Sequence, residues 1–374
     1  MKKIFYTGLA GLLLFEILNV YFIMPMPGSQ KMNSIDLAYF LYRWRWLFRV
    51  LFLTMLLVGF FSFPKKRFWV PLVSTIIVAA GIYMLNFQMA ADHMFYKTKN
   101  LLMVDADKNQ VDTQRLIIGI ERNGIAKAYP IQFLGYHHQV SDSIDGEAVI
   151  VTYCTVCRTG RVFEPVVNGK HETFRLVGMD HFNAMFEDAS SKSWWRQATG
   201  EAITGKLKGE KLPEVASSQT SLGEWLRLYP NSLIMQADPS FVSSYDSTFK
   251  YENGKSKSKL TGTDSLSWRD KSWVIGVKAG KASKAYDWNR LKKERIIRDK
   301  IDQTSIALIL AVDDKSFFAF EIPSKNSVVA MRNDTLFLDQ NIYRLDGKSF
   351  GGIPGLKRLP ASQEFWHSWR TFNQ

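Results

Sequence analysis

IIGIERNGIAKAYPIQFLGYHHQVSDSIDGEAVIVTYCTVCRTGRVFE occupies residues 117–164, and residues 274–321 read VIGVKAGKASKAYDWNRLKKERIIRDKIDQTSIALILAVDDKSFFAFE. Laid together without a gap, the segments share eleven of forty-eight residues, among them Ile118/Ile275, Gly119/Gly276, Lys127/Lys284, Tyr129/Tyr286, Asp142/Asp299 and Phe163/Phe320. The apolar positions match as well. Residues common to both segments read as fold residues, because each copy must build the same unit and bury the same face. Residues present in one copy only are free of that duty. Cys154 faces Ala311, Cys157 faces Asp314 and His137 faces Glu294. The second copy is therefore an internal control, with the fold kept and the thiol and imidazole chemistry absent.

Within the first copy, residues 116–120, 148–153 and 161–167 are short β-branched runs that read as buried strands. Both cysteines then fall at a strand-turn-strand corner, with Gly160 in or just after the turn. The expected fold is a β-rich α+β domain of two related halves, with copies at about 116–164 and 273–321. A thioredoxin-like site is built differently, since there the Cys-x-x-Cys pair opens a helix whose amino terminus lowers the thiol pKa.

Ahead of this domain lie three apolar stretches, residues 4–24, 46–63 and 69–89, each near the ~20 residues a helix needs to cross a bilayer core. They predict a three-helix transmembrane anchor over residues 1–92, uncleaved because no small-x-small site follows the first stretch. The remainder, residues 93–374, is the soluble domain. Arg49, near the start of the second stretch, is expected to snorkel to the interface. Residues 34–46 read either as a helix lying at headgroup level or as an extension of the second span. Lys2-Lys3 and Lys65-Lys66-Arg67 place the amino terminus inside and an odd number of spans exports the domain to the periplasmic side, although Lys31, Arg43 and Arg45 run against the charge rule.

The 374 residues carry a net charge of +13. That charge is spread along the chain with no nucleic-acid-binding motif, so no nucleic-acid partner is expected. Residues 250–259 are the densest basic stretch and read as a solvated loop. Gly254-Lys255-Ser256 lacks the glycine of a phosphate loop, His171-Glu172 lacks the second zincin histidine, and no Gly-x-Ser-x-Gly elbow occurs, all of which disfavours an ordinary hydrolase.

Cys154 and Cys157 are the only cysteines. Three readings stand open. A disulfide here would close a very short loop with little entropic gain. A redox pair would exchange with a partner through a mixed disulfide. As a soft-metal pair, the two thiolates would serve copper or zinc. A four-thiolate centre is impossible, and Arg158 in place of histidine removes the c-type haem pattern. Further ligands would come from His137, His138, His171, His181, Met179 or a carboxylate. The expected site, catalytic or metal-binding, is Cys154, Cys157 and His137. Its expected partners are the membrane bilayer and an envelope redox or metal-handling protein, and the alternative is a non-catalytic envelope module whose cysteines only pin a turn.

An ordered series of residues runs through the chain: Ile118-Gly119, Ala128-Tyr129-Pro130, His137, Asp142, Thr152-Tyr153-Cys154-x-x-Cys157, Asn183, Ser193-Trp194-Trp195-x-Gln197, Gly200-Glu201-Ala202-Ile203-x-Gly205, Trp225, Pro230, Leu359-Pro360, Phe365-Trp366 and Trp369. In this series the chain resembles a bacterial family catalogued as a domain of unknown function, often exported or membrane-anchored. The resemblance implies a shared fold and a shared site at His137, Cys154 and Cys157, with no settled reaction. The chain departs from the family pattern at Thr155, Val156 and Arg158, which make the turn bulkier and more basic, and at His138, where an acid is usual. Trp194, Trp195 and Gln197 read as scaffold or, less simply, as a wall over the cysteines, with Asp188 and Glu201 as candidate orienters of a histidine.

Overall fold

The computed structural model describes residues 1–373, which divide into two compact units. The first holds Met1–Tyr96, Glu172–Arg196 and Glu201–Lys211; the second holds Lys97–His171, Gln197–Gly200 and Leu212–Gln374.

In the first unit, α1 (Lys2–Tyr21), α2 (Ile35–Arg43), α3 (Arg45–Phe60) and α4 (Trp69–Tyr83) form in or beside the apolar stretches. Among the described residues two helical segments are long and apolar enough to cross a membrane, Lys2–Tyr21 and Lys65–Gln88, the latter taking in the turns on both sides of α4. They point to membrane association. The middle stretch yields 16 residues of helix, roughly 24 Å at the α-helical rise and short of a ~30 Å core. Trp44 interrupts the chain between α2 and α3, so α2 is a separate helix.

The expectation for Arg49 needs correcting. Its guanidinium grips Glu16 of α1 at 2.7 and 2.9 Å and reaches Asn86 at 2.8 Å, while Glu16 is 1% exposed. A buried carboxylate is costly unless paired, and pairing outweighs snorkelling here. Small residues let the helices meet: a Cβ on Gly59 would lie 2.5 Å from Phe5, and one on Gly11 would lie 2.4 Å from the Phe52 ring, the small-residue packing typical of membrane helices.

A four-stranded antiparallel sheet belongs to the same unit, in the order Ala202–Thr204, Trp194–Arg196, Asn183–Asp188, Phe174–Asp180. Gly178 is glycine because a Cβ there would sit 2.3 Å from the Ile23 carbonyl oxygen. Met179 donates its N–H to that oxygen at 2.7 Å, and Tyr39 and Tyr42 pack on the buried Trp194 ring. Sequence reading had no signal for this association, because a polar-edged short sheet carries no membrane-like pattern.

The second unit carries the quoted segments. Leu116–Arg122 pairs antiparallel with Ile125–Pro130; helix Ile131–His137 follows, then Gln139–Ile144, Glu147–Cys154 and Thr159–Phe163 pair in succession. Trp273–Ala279, Ala282–Asp287, helix Trp288–Glu294, Ile296–Ile301, Thr304–Leu310 and Phe317–Glu321 run in the same order with the same directions. Registers agree: Ile118 pairs with Tyr129 and Ile275 with Tyr286, Gln139 with Thr152 and Ile296 with Ile309. Tyr129 donates to Asp142 at 2.7 Å and Tyr286 to Asp299 at 3.1 Å. His138 and Arg295, each just past its helix, take left-handed φ of 60° and 64°.

Gly119 lies against Trp225 and Gly276 against Trp369, where added Cβ atoms would sit 2.4 and 1.7 Å from the rings. Gly276→Ala and Gly119→Ala are therefore expected to cost about 1–3 kcal/mol each by overpacking, with Gly276→Ala the worse. Denaturant midpoints of the two variants check this.

One local reading changes. Arg161 to Val167 is not one strand: Thr159–Phe163 ends before Pro165, and Val166–Val167 begins a separate short pair. Gly160 lies just after the turn, in the strand opposite Tyr153, and a Cβ there would sit 2.5 Å from Ile118.

Candidate functional site

An unbroken run of buried residues from Val149 onward carries the strand Glu147–Cys154 into the core, and its last residue delivers Cys154. Thr155, Val156, Cys157 and Arg158 make the turn, closed by Arg158 at φ 59°. The two cysteines are not joined in a disulfide, and both are wholly buried. The Cys157 sulfur lies 3.9 Å from the Cys154 carbonyl, and burial, reinforced by Cys154, pushes the Cys157 thiol well above its ordinary range.

Lys271 is the cation of this site. Its Nζ donates to the Val156 carbonyl inside the turn at 2.6 Å and to the Leu260 carbonyl at 2.6 Å, and lies 4.6 Å from the Phe365 ring centre. Burial lowers its pKa to about 8, opposed by the fields of Cys157 and Cys154. An ammonium so placed favours a thiolate over a thiol.

Arg158 braces the turn from the other side. Its guanidinium stacks 3.7 Å over Trp273, donates to Gln363 at 2.7 Å and bonds the Tyr251 carbonyl, while Nη2 is buried without a partner. Phe365 donates its N–H to the Cys157 carbonyl at 3.0 Å. Gln197 donates to Thr152 and to the Thr159 carbonyl at 3.0 and 2.9 Å, tying the two strands that hold the cysteines. Beneath them Arg161 forms a buried ion pair with Glu364.

His137 is wholly buried on helix Ile131–His137, its Nε2 2.7 Å from the Tyr245 hydroxyl and its ring edge-on to Tyr136 and Phe241. His138 is buried too, and desolvation lowers its pKa to about 4. His171 is exposed on a two-residue strand. His181 belongs to the first unit, 2.6 Å from Asp180. Asp188 is occupied by Ser191, Ser193 and the Trp195 indole rather than by a histidine. Among the described residues no three His, Cys, Asp or Glu side chains are grouped so as to hold a metal ion.

The loop read as solvated is so only in part. Lys255, Lys257 and Lys259 are exposed, but Glu252 is buried and bound to Arg115 at 3.0 Å. With Tyr251 and Leu260 held by Arg158 and Lys271, this segment lies against the cysteine turn. Lys271 and the segment Tyr251–Leu260 are what sequence reasoning missed. Lys271 falls just before residue 274, outside both of the segments compared.

Fold and site together define a β-rich mixed α+β domain with a buried Cys-x-x-Cys turn. The chain belongs to the family described as Protein of unknown function (DUF3179), whose model matches residues 98–374. No curated protein and no solved structure matches it.

Proposed function

We propose that this is a membrane-anchored protein whose domain lies outside the cytoplasm and exchanges two electrons with a partner through Cys154 and Cys157. The observation that carries the reading is the Lys271 ammonium seated on the turn that holds both thiols. Two further features support it. The segments 117–164 and 274–321 share order, direction and register, which favours descent from one repeated unit, and only the first has the cysteines and His137. Export of the domain further requires the 16-residue α3 to cross a locally thinned bilayer as a third span; with the basic residues at Lys2-Lys3 and Lys65 to Arg67, that arrangement favours an amino terminus inside.

The chemistry balances as a dithiol-disulfide exchange. One cysteine, giving up its proton beside the Lys271 ammonium, attacks a sulfur of the partner's disulfide and displaces a thiolate, which takes up that proton. The second cysteine, as thiolate, then attacks the mixed disulfide. The chain is left with a Cys154–Cys157 disulfide, and the partner leaves as a dithiol carrying two electrons and two protons. Because both sulfurs are buried, exchange requires the Tyr251–Leu260 segment to move aside. Complete burial also favours a second reading, a turn that is merely packed, and a pair of thiols at this spacing suits a soft metal such as Cu(I).

Burial decides the test variant. Serine would put a hydroxyl into an apolar site at a cost of about 1–3 kcal/mol, whereas alanine is what the second copy carries at Ala311. Cys154→Ala in the full chain is expected to abolish thiol exchange with a disulfide probe, or retention of copper, with a melting shift of no more than about 2–4 °C. A larger loss of stability, from a parent that neither exchanges nor holds metal, identifies a packing pair. For topology, a carboxyl-terminal reporter that works only after export should be active, and activity of a cytoplasm-only reporter contradicts the orientation.

A further inference from the structure

A cavity of about 240 Å³ lies within the first unit, lined by Asn19, Tyr42, Arg45, Arg49, Asp92 and Arg175 among others. It is far larger than the ~10–15 Å³ one water needs by a comparable measure. Its charges are unevenly matched. Arg49 is paired with Glu16, and Arg175 with Glu187 at 2.8 Å and Asp92 at 3.1 Å. Among the described residues Arg45 has no carboxylate partner: it donates one bond to the Tyr42 carbonyl at 2.7 Å and stacks 4.0 Å over the Tyr42 ring, which leaves most of its five donors unused there. Opposite in character is Asn19, 8% exposed, whose Oδ1 is buried without a hydrogen-bond partner. A buried acceptor left unmade is costly and points to a missing donor.

We propose that the cavity binds a phosphate group that carries its own hydrogen-bond donor, of the phosphoethanolamine class, with the phosphate on Arg45 and the ammonium on Asn19 Oδ1. A planar guanidinium with free donors suits a phosphate, and an anionic group alone would leave Asn19 unsatisfied. The cavity is bordered by residues of α1 and α3 and by the Met84–Gln88 turn at the end of the Lys65–Gln88 segment, so a phospholipid headgroup and a soluble phosphoethanolamine are both possible sources. The inference does not depend on the thiol reading.

Native mass spectrometry of the full chain in detergent tests it, titrating short-chain phosphatidylethanolamine, phosphatidylcholine and free O-phosphoethanolamine. The expected result is one equivalent of phosphatidylethanolamine bound about tenfold or more tightly than phosphatidylcholine, whose trimethylated nitrogen donates nothing, in line with a hydrogen bond to a charged group. Arg45→Gln should weaken both lipids, Asn19→Leu should erase the preference between them, and Arg332→Gln, on the exposed surface of the other unit, should change neither. Binding of O-phosphoethanolamine with similar strength assigns the site to a solute, and its failure to compete assigns it to a lipid. Equal affinity for the two lipids in the unmodified protein, or full binding by Arg45→Gln, overturns the proposal.

Discussion

Lowering the pH from 6.5 to 4 is expected to remove roughly 3 kcal/mol of stability for each of two buried histidines, His138 and His367. Burial lowers both to about 4. Each is neutral in the folded protein and donates Nδ1–H to a backbone carbonyl, of Tyr136 at 3.3 Å and of Asp270 at 2.9 Å. The sign follows from proton counting. Between the ordinary imidazole pKa and 4 the unfolded chain binds more protons than the folded one, so stability rises with pH in that window and is lost as pH falls through it. His138 sits at a left-handed position, φ 60°, which asparagine tolerates, and an asparagine at 367 keeps a donor near the place of Nδ1. A His138→Asn/His367→Asn variant should match the parent near pH 7 and outlast it near pH 4 by several kcal/mol, read from urea midpoints at a series of pH values. An identical pH profile in parent and variant contradicts the assignment.

The second large effect is at Arg161 and Glu364, 3% and 0% exposed. Glu364 also accepts from Ser368 at 3.0 Å, and Arg161 also donates to the Gly160 and Ala198 carbonyls at 2.9 and 3.3 Å. Removing Arg161 strands the Glu364 carboxylate in the core, at a cost of about 3–5 kcal/mol, whereas removing Glu364 leaves Arg161 with Glu214 at 3.4 Å. Arg161→Met is expected to fall by that amount and Glu364→Leu by less, while the double variant recovers much of the larger loss, because an apolar pair of similar volume avoids the desolvation of both ions. Equilibrium unfolding of the three variants measures the coupling. Additive losses would show that the two residues act separately.

How much of this was legible depended on where self-similarity reached. The strands at 116–120 and 148–153, and the part of 161–167 that ends at Phe163, follow from short apolar runs, since local pattern and burial agree there, whereas Ile125–Pro130 and Gln139–Ile144 were not legible as strands. Tyr129 with Asp142 and Tyr286 with Asp299 were visible as identities, though not as hydrogen bonds. Interactions far apart in sequence were not legible. Glu16 reads as a stray charge in an apolar helix until Arg49 and Asn86 meet it. Trp194 is recognisable as a core residue, but its neighbours Tyr39 and Tyr42 lie some 150 residues earlier, in a segment that reads as interfacial. At the site, the cysteines were plain from spacing, whereas Lys271 and Phe365 come to them through turns and a strand edge that no local pattern encodes.

The central claim is that Cys154 and Cys157 form a reversible two-electron couple steadied by Lys271. Equilibration of the full chain in glutathione buffers of graded potential, followed by counting of free thiols, measures it directly. The expected result is the joint loss of two thiols per chain in one transition of slope n = 2, absent in Cys154→Ala and displaced in Lys271→Met toward more negative potentials, because loss of the ammonium destabilises the reduced thiolate and the disulfide forms more readily. Thiols that stay unreactive at every potential until the chain is unfolded, or a Lys271→Met midpoint identical to that of the parent, would contradict it.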